Sequence, residues 1–252
     1  MVYVKSRKDQ KTWLALAGIA LLSRMGCNDM LFPEKITQIL AGDKVLEIGP
    51  GSLPHHRSDA FLELSFQNDI DRISQRGGVL TEGSIGKRSV HYYDGGRFPF
   101  SDGEFDYVIC SHVIEHVPDP ERFLREVFRV GGGRGYLEYP LITYEYLYDF
   151  DVHLQFVKFD PEQRVLKYLP KKDTVFHEFA TVTAFFHKSL EAGWDDLCAA
   201  NTVLFFEGFE FDKPFRVERA VNIGSLRPSE SLIPRKATLR RVLGRIVNKL
   251  GL

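Results

Sequence analysis

The feature that most constrains this chain is a short apolar run, V-L-E-I, that leads into the turn G-P-G-S over residues 45–52. Its valine, leucine and isoleucine favour a buried strand. Gly49 and Gly51 allow the backbone to turn sharply and let a ligand approach it without a Cβ in the way. Glu47 lies near the carboxyl end of the strand, where ligands bind in open α/β sheets. The run therefore predicts an α/β fold with a ligand site at this turn, and the carboxylate suits a ligand that carries an ammonium group.

The same turn disfavours a dinucleotide site. That fingerprint is G-x-G-x-x-G at the start of a helix, where the third glycine allows the helix to pack closely on the strand. Here the third position is Pro54, which would interrupt an ordinary helix start. An NAD-dependent oxidoreductase is therefore disfavoured, and a G-x-G pair by itself also fits an ordinary βα turn.

A second block, at residues 98–117, adds to the first. Asp102 and Gly103 predict a turn, and residues 105–110 predict another central strand. Asp119 then predicts a helix N-cap, because a proline follows at the first helical position and an acid in the first turn. The predicted helix carries Phe123, Leu124, Val127 and Phe128 on one face and ends at the glycines 131–133.

Taken together, the two blocks resemble the class I S-adenosylmethionine-dependent methyltransferases, in particular the type 11 methyltransferase-domain group with its E-I-G-x-G, P-F-x-D-G-x-F-D and S-x-x-x-E-H blocks. The resemblance covers about residues 43–140. It implies a Rossmann-like, mostly parallel sheet of seven strands with an antiparallel closing hairpin. The strands predicted in this part of the chain are residues 45–49, 60–64, 90–94, 105–110 and 135–139. Because the chain between the first two strands is short, we expect an abbreviated first crossover.

The resemblance also implies S-adenosyl-L-methionine as the cofactor and assigns residues to it. Glu47 and the turn after it would hold the methionine end, and Glu63, 16 residues farther on, would accept hydrogen bonds from the ribose diol. A solvated carboxylate at a strand end is the alternative for Glu63. Asp94 would hold the adenine amine, and Ser111 would flank the methionine moiety and the methyl group. The residues predicted to bind the cofactor are Glu47, Gly49, Pro50, Gly51, Ser52, Glu63, Leu64, Asp94, Gly95, Ser111 and His112.

Two histidines are the candidates for catalysis, and no residue is predicted to bind a metal. Residues 112–116 spell the zinc-protease motif H-x-x-E-H, but they directly follow a central strand, and Pro118 ends any helix soon afterwards. The resemblance implies that the Glu-His pair of this motif bridges the loop to the sheet. His112 is the better candidate for substrate contact or for the general base, and His153 is the second candidate for the base.

The chain is predicted to have five parts. They are a helical segment (1–42) with a second short helix from 33 to 42, the cofactor-binding core (43–140), an aromatic-rich insertion that would cap the substrate (141–175), the closing helix and strands (176–224) and a basic amphipathic tail (225–252). The insertion predicts a hairpin of residues 152–159 and 164–169, and the closing part predicts a helix at 181–192 and strands at 202–209 and 215–221. The aromatic side chains of the insertion either line the substrate site or pack the insertion on the core.

Composition and short motifs limit the class of methyl acceptor and the cellular compartment that we expect. The net charge is −1 and the pI about 6.7, unlike a nucleic-acid-binding chain. Neither a D/N/S-P-P-Y/F/W stretch after the fourth strand nor a Pro-Cys pair is present, which also disfavours nucleic acid. The three cysteines fit a reducing, cytoplasmic compartment, and the apolar residues 13–22 are too few to span a bilayer, which needs about 20. The basic tail, residues 229–252, leaves open a contact with the inner membrane surface or with a protein.

The predicted function is transfer of a methyl group from S-adenosylmethionine to a small-molecule or saccharide acceptor, such as a glycan precursor, at a hydroxyl. The alternative is a non-catalytic S-adenosylmethionine-binding module that acts on a partner through the tail. A wide cleft lined by Tyr139, Tyr144 and His153 next to Ser111 would favour the enzyme, and a filled cleft would favour the module.

Overall fold

A computed structural model describes residues 30–51, 53–65, 85–176, 183, 185–186, 198 and 201–229. Its strands are β1 (Val45–Ile48), β2 (Ala60–Leu64), β3 (Ser89–Tyr93), β4 (Tyr107–Ser111), β5 (Gly135–Pro140), β6 (Gln155–Asp160), β7 (Val165–Pro170), β8 (Phe206–Phe211) and β9 (Arg216–Arg219). The α-helices that it describes are α1 (Pro120–Val130), α2 (Ile142–Tyr148) and α3 (Thr202–Phe205). Short 3₁₀ turns lie at Pro33–Lys35, Ile114–His116, Lys171–Asp173 and Ile223–Leu226.

The central sheet has the strand order β3-β2-β1-β4-β5-β8. Strands β1 to β5 run parallel to one another, and β8 runs antiparallel beside β5. The strand order reverses at β1, because β2 lies on one side of it and β4 on the other, and ligands of open α/β sheets bind at such a switch point. The Rossmann-like, mostly parallel sheet is confirmed, although the described residues contribute six strands to it where seven were expected.

Both faces of the central sheet are covered, which explains the apolar sequences of its inner strands. Strands β1 and β5 are buried along their full length. One face packs against helix α1, whose buried side chains are Phe123, Leu124, Val127 and Val130. On the other face Val45, Tyr107, Ile109 and Tyr136 pack against Met30, Ile36 and Ile39 of the N-terminal segment.

Helix α1 begins and ends as its sequence predicts. The Asp119 carboxylate caps the helix by accepting a hydrogen bond from the Arg122 N–H at 3.0 Å, and Pro120 occupies the first helical position. The helix ends at Gly131, and Gly132 and Gly133 follow with φ of 58° and 83°. These left-handed conformations favour glycine.

A second sheet, of order β6-β7-β9, holds the insertion. The predicted hairpin is confirmed, since β6 and β7 pair antiparallel from Gln155–Pro170 to Asp160–Val165. The predicted closing hairpin is wrong in one respect. Strand β9 pairs parallel with β7 in the small sheet, so only β8 joins the central sheet.

The short helix expected from residue 33 to residue 42 is also wrong. The structure has only the 3₁₀ turn Pro33–Lys35, after which Ile36 is extended. The amide groups of Thr37 and Gln38 instead donate to one carboxylate oxygen of Glu210 on β8, each at 2.9 Å. These hydrogen bonds to a distant strand replace the bonds that a helix would have made.

The strand predicted at 202–209 begins four residues late, because residues 202–205 form α3. Residues 50–59 connect β1 to β2 without a helix among the described residues, as expected for an abbreviated crossover. The expected N-terminal helix before residue 30, the basic tail after residue 229 and Ser52 lie outside the described residues. The helix expected at 181–192 also lies outside them, apart from three residues that are helical. No helix within the described part of the chain is long and apolar enough to cross a membrane.

Candidate active site

The predicted cofactor residues of three strands meet at one edge of the sheet. Ile48, the last residue of β1, aligns with Leu62 on β2 and with Cys110 on β4. The residues that follow these positions are Gly49, Glu63 and Ser111, so all three lie at the carboxyl end of the sheet around the switch point. The structure therefore brings these three candidates close together.

The turn after β1 requires glycine. Gly49 and Gly51 have φ of 63° and 58°, and the Gly49 N–H donates to the Leu62 carbonyl at 3.0 Å. A Cβ on Gly49 would lie 2.6 Å from Cγ2 of Val113, which leaves no room for a side chain. The backbone of the turn is thus held close to the loop after β4.

Glu47 is buried beneath this turn. One of its carboxylate oxygens accepts hydrogen bonds from the His55 N–H at 2.9 Å and from the Ser58 hydroxyl at 2.6 Å. Burial raises the pKa of Glu47 to about 7, and these two hydrogen bonds oppose the shift. The carboxylate therefore changes its charge near neutral pH and also holds the connection to β2 in place.

The adenine and ribose candidates lie at the ends of β2 and β3. Glu63 is buried and aligns with Tyr92, and Leu64 aligns with Tyr93. Asp94 follows β3 and accepts a hydrogen bond from the Gly96 N–H at 2.9 Å. Gly95 has a φ of 88°, and a Cβ there would lie 3.9 Å from the Leu64 side chain. The structure brings these four predicted residues to the same edge as the β1 turn.

Glu138 is the centre of a hydrogen-bond network that the sequence analysis missed. It lies on β5, is fully buried, and aligns with Ser111 on β4. The donors to its carboxylate are Ser111 Oγ at 3.0 Å, His112 Nε2 at 2.9 Å, Tyr136 Oη at 2.5 Å, Leu31 N at 2.8 Å and Phe32 N at 3.1 Å. The one signal in the sequence was an acid inside the otherwise apolar strand G-Y-L-E-Y-P. Glu138 thus fixes both predicted residues after β4 and brings the N-terminal segment to the site.

His112 is held between two carboxylates. Its Nε2 donates to Glu138, its Nδ1 lies 3.6 Å from Glu115, and its backbone has a φ of 54°, unusual for a residue with a side chain. Burial alone would lower the pKa of His112, but its polar contacts with Glu115 and Glu138 and the negative charges of these two acids outweigh burial and raise the pKa to about 10. The imidazole is therefore protonated at neutral pH, a state that donates hydrogen bonds and cannot accept a proton.

His153, the second catalytic candidate, lies near Glu115 and His116. Its Nδ1 pairs with the Glu145 carboxylate, and its ring contacts the His116 ring edge to face, with the centroids 4.7 Å apart. His116 in turn bonds the Val152 carbonyl through Nδ1 at 3.0 Å. The turn Ile114–His116 thus bridges the loop after β4 to the insertion.

The aromatic side chains of the insertion mostly pack the fold. Tyr139 is fully buried, donates its hydroxyl hydrogen to Glu207 at 2.6 Å and accepts a hydrogen bond from the Phe159 N–H at 2.7 Å. Tyr144 is buried against Phe206, with the ring centroids 4.6 Å apart. Of the two alternatives for the insertion, packing on the core therefore holds for Tyr139 and Tyr144.

Comparison with known families identifies the core of the chain. A family profile described as a methyltransferase domain matches residues 69–138, which include β3, β4, α1 and most of β5. The chain carries a class I S-adenosylmethionine-dependent methyltransferase domain. The predicted resemblance is confirmed, and the family implies S-adenosylmethionine as the cofactor.

Individual relatives of the methyltransferase domain cover less of the chain. Ajmaline N-methyltransferase of Rauvolfia serpentina is 40% identical over 55 residues, which is 22% of this chain and 19% of that enzyme. The chain therefore spans about a fifth of the length of the curated relative that it matches.

Two solved structures are similar to part of the chain. A methyltransferase of Thermotoga maritima, described as a possible histamine N-methyltransferase, is 23% identical with a TM-score of 0.28, covering 54% of this chain and 57% of its own. A methyltransferase of Methanosarcina mazei is 23% identical with a TM-score of 0.31, covering 52% and 72%.

The site residues fit the cofactor that the methyltransferase family implies. Buried acids are the penultimate residues of β1 and β2, and an acid follows β3, which suits the ammonium, the ribose diol and the adenine amine of the cofactor. The two glycines of the β1 turn, which lie in left-handed conformations, leave its backbone open to close approach.

Proposed function

We propose that this chain transfers a methyl group from S-adenosylmethionine to a small-molecule acceptor. The observation that carries the proposal is the convergence of Glu47, the glycine turn, Glu63 and Ser111 at one edge of a methyltransferase sheet. When bound, the cofactor supplies an electrophilic methyl group on its sulfonium sulfur.

The protein's own contribution is to hold the two reactants in line. In this proposal Glu47 and the turn at residues 49–52 hold the methionine end, Glu63 and Leu64 the ribose, and Asp94 and Gly95 the adenine. Orientation of this kind lowers an activation barrier by up to about 7–11 kcal/mol in favourable cases. A Ser111 hydroxyl and a His112 ring fixed by Glu138 support such positioning.

The two candidate histidines have different roles in this proposal. His112 carries a proton at neutral pH, so it is not the base. Because its two ring nitrogens face Glu138 and Glu115, it contributes a fixed positive charge beside the site. His153 acts on the acceptor's oxygen, either as the base or through a bound cation, because Glu145 occupies its Nδ1 and leaves Nε2 to interact.

The acceptor is proposed to be a hydroxyl of a small molecule or saccharide, in keeping with the net charge of −1, which does not suit nucleic acid. An amine is the second candidate, and the partial match to an N-methyltransferase supports it. Contact of residues 229–252 with a membrane surface or a protein is a separate proposal.

The cofactor assignment is tested by calorimetric titration of the purified protein with S-adenosylhomocysteine. We expect micromolar binding by the wild type, at least tenfold weaker binding (about 1.4 kcal/mol) by Glu63→Ala, and no change in Glu162→Ala, which alters an exposed acid of the insertion. Circular dichroism checks that each variant is folded. Binding that survives in Glu63→Ala would show that another residue holds the ribose, and absence of binding by the wild type would refute the proposal.

The acceptor class is tested with methyl-labelled S-adenosylmethionine and matched panels of hydroxyl and amine compounds. Label transferred only to the hydroxyl panel supports the oxygen acceptor, and label transferred only to amines replaces it with the second candidate. A cofactor-binding protein that methylates neither panel would favour the non-catalytic module.

A further inference from the structure

Three side chains with metal-binding atoms converge beside the site. Glu115 and His116 belong to the 3₁₀ turn after β4, and His153 precedes β6 in the insertion. One ligand atom from each of them lies within 4.8 Å of the other two. We call these residues the Glu115–His116–His153 cluster.

Both histidines of the cluster are oriented through Nδ1. A carbonyl oxygen can only accept, so the 3.0 Å contact with the Val152 oxygen puts the hydrogen of neutral His116 on Nδ1 and leaves the Nε2 lone pair available. The Glu145 carboxylate orients His153 in the same way. A histidine that binds a metal usually donates its other ring N–H to a carboxylate or a backbone carbonyl, and here both kinds of partner occur.

The third member of the cluster is the buried carboxylate of Glu115. Glu115 has an exposed fraction of 0%, and neither of its carboxylate oxygens has a hydrogen-bond partner within the part of the chain that the structure describes. The nearest ring nitrogens, of His112 and His116, lie 3.6 and 3.9 Å from it. The His112 imidazolium balances the charge of this carboxylate without a close hydrogen bond, so the lone pairs of the carboxylate oxygens remain available to a metal ion.

We propose that the Glu115–His116–His153 cluster binds one divalent transition-metal ion, with Zn²⁺ as the favoured metal. Two imidazole nitrogens and one carboxylate oxygen are a three-ligand set that suits zinc and leaves a fourth position open. Tetrahedral ligands at about 2.1 Å from zinc lie about 3.4 Å apart, so each pair of ligand atoms would move closer by at most about 1.4 Å on binding. His112 is not part of this set, because Glu138 and Glu115 hold both of its ring nitrogens.

The bound ion would fasten the loop after β4 to the insertion. These two segments already share a hydrogen bond from the Leu154 N–H to the Glu115 carbonyl at 2.7 Å. This inference is independent of methyl transfer, since metal binding would stand if no acceptor were found. It replaces the expectation from the sequence that no residue binds a metal.

The test is titration of chelator-treated full-length protein with Co²⁺, followed by visible absorption, and with Zn²⁺, followed by calorimetry. We expect one ion per chain, visible Co²⁺ bands of a four-coordinate site, and displacement of Co²⁺ by Zn²⁺. Glu115→Gln, His116→Ala and His153→Ala should each weaken binding by at least about 100-fold, more than is usual for loss of an outer partner. The control His91→Ala removes a histidine outside the cluster, which bonds Ser89 on the same strand and contacts the Phe100 ring, and should leave binding unchanged.

Three results would overturn the inference: no Co²⁺ or Zn²⁺ binding by the wild type, binding that all three variants retain, or an equal loss in His91→Ala. If a histidine variant fails to fold, the wild-type titration and the nearly isosteric Glu115→Gln still decide the question. An increase in the melting temperature of the wild type with Zn²⁺, absent in Glu115→Gln, is an independent readout.

Discussion

At the scale of single residues, the site depends on the absence of a Cβ at Gly49 and on the burial of Glu47 at the β1 turn. The sequence alone predicted that both would lie at the ligand edge, because a glycine turn after a buried strand is a local pattern. Glu138 escaped notice because its importance comes from donors on other elements, including the amides of Leu31 and Phe32, that only the fold brings to it.

Gly49→Ala should destabilise the protein and weaken cofactor binding. The substitution adds a strained left-handed alanine and a methyl group 2.6 Å from Val113, and we expect a loss of about 2–4 kcal/mol in the free energy of unfolding. Gly103→Ala is the matched control, because its φ is also 63° but nothing lies within 4 Å of the added Cβ. Urea unfolding should show a loss of only about 1 kcal/mol for the control. Equal losses in the two variants would contradict the close contact with Val113.

Cofactor binding should depend on pH through Glu47. Since burial raises its pKa to about 7, the carboxylate is mostly protonated at pH 6 and mostly charged at pH 8. Only the charged form attracts the ligand's ammonium group, so the affinity for S-adenosylhomocysteine should rise up to about tenfold over this range. The neighbouring His55 does not contribute, because burial lowers its pKa to about 4.

Calorimetry at several pH values measures this dependence, with Glu47→Gln and Glu162→Gln compared. The first variant should give a flat profile and the second the profile of the wild type. A wild-type affinity that does not change between pH 6 and pH 8 would rule out a role for the Glu47 charge.

At the scale of elements, the sequence predicted the bounds of the strands well, because these depend on local pattern. It predicted less well which strands pair with each other, because pairing depends on distant contacts. Strands β1 to β5 and the β6–β7 hairpin lie within two or three residues of the predicted bounds. The partner of β9 and the fate of residues 36–42 depend on distant contacts with β7 and Glu210, which no local pattern encodes. Burial of charge inside the insertion was likewise invisible in the sequence.

Lys171→Met should destabilise the insertion strongly. The buried Lys171 ammonium contacts Asp149 at 2.6 Å, Glu145 at 2.9 Å and the Phe150 carbonyl at 3.0 Å. Removing it takes a cation away from Asp149 and from the buried Glu145, which keeps its contact with His153, and this costs about 3–5 kcal/mol. The control Lys172→Met changes the exposed neighbour and should have almost no effect. Urea denaturation in the presence of a chelator measures both, and similar stabilities of the two variants would contradict the buried ion network.

At the scale of the whole molecule, the two sheets share one core. Val157, Phe159 and Leu166 of the small sheet pack in the same cluster as Leu137 and Tyr139 of the central sheet. Lys158 reinforces the junction, because its ammonium contacts Glu207 at 2.7 Å. The insertion is therefore an integral part of the folded core.

The two sheets should consequently unfold together. Far-ultraviolet and near-ultraviolet circular dichroism should give one coincident urea transition. Tyr139→Phe removes the hydroxyl that joins Glu207 and the Phe159 amide. It should lower the free energy of unfolding by about 1–3 kcal/mol, by the same amount in both signals. Tyr146→Phe, at a half-exposed ring of α2, should shift neither. Separate transitions for the two signals would show that the sheets fold independently.

The hydrogen-bond network at Glu138 also restricts which substitutions this chain can accept during evolution. Five donors from three separate stretches of sequence depend on one carboxylate, so replacing Glu138 alone leaves several buried hydrogen-bond donors unmatched at once. Lineages that lose this acid must therefore also replace Ser111, His112 and Tyr136 and reroute the N-terminal segment. Positions 111, 112, 136 and 138 should accordingly be inherited as a set.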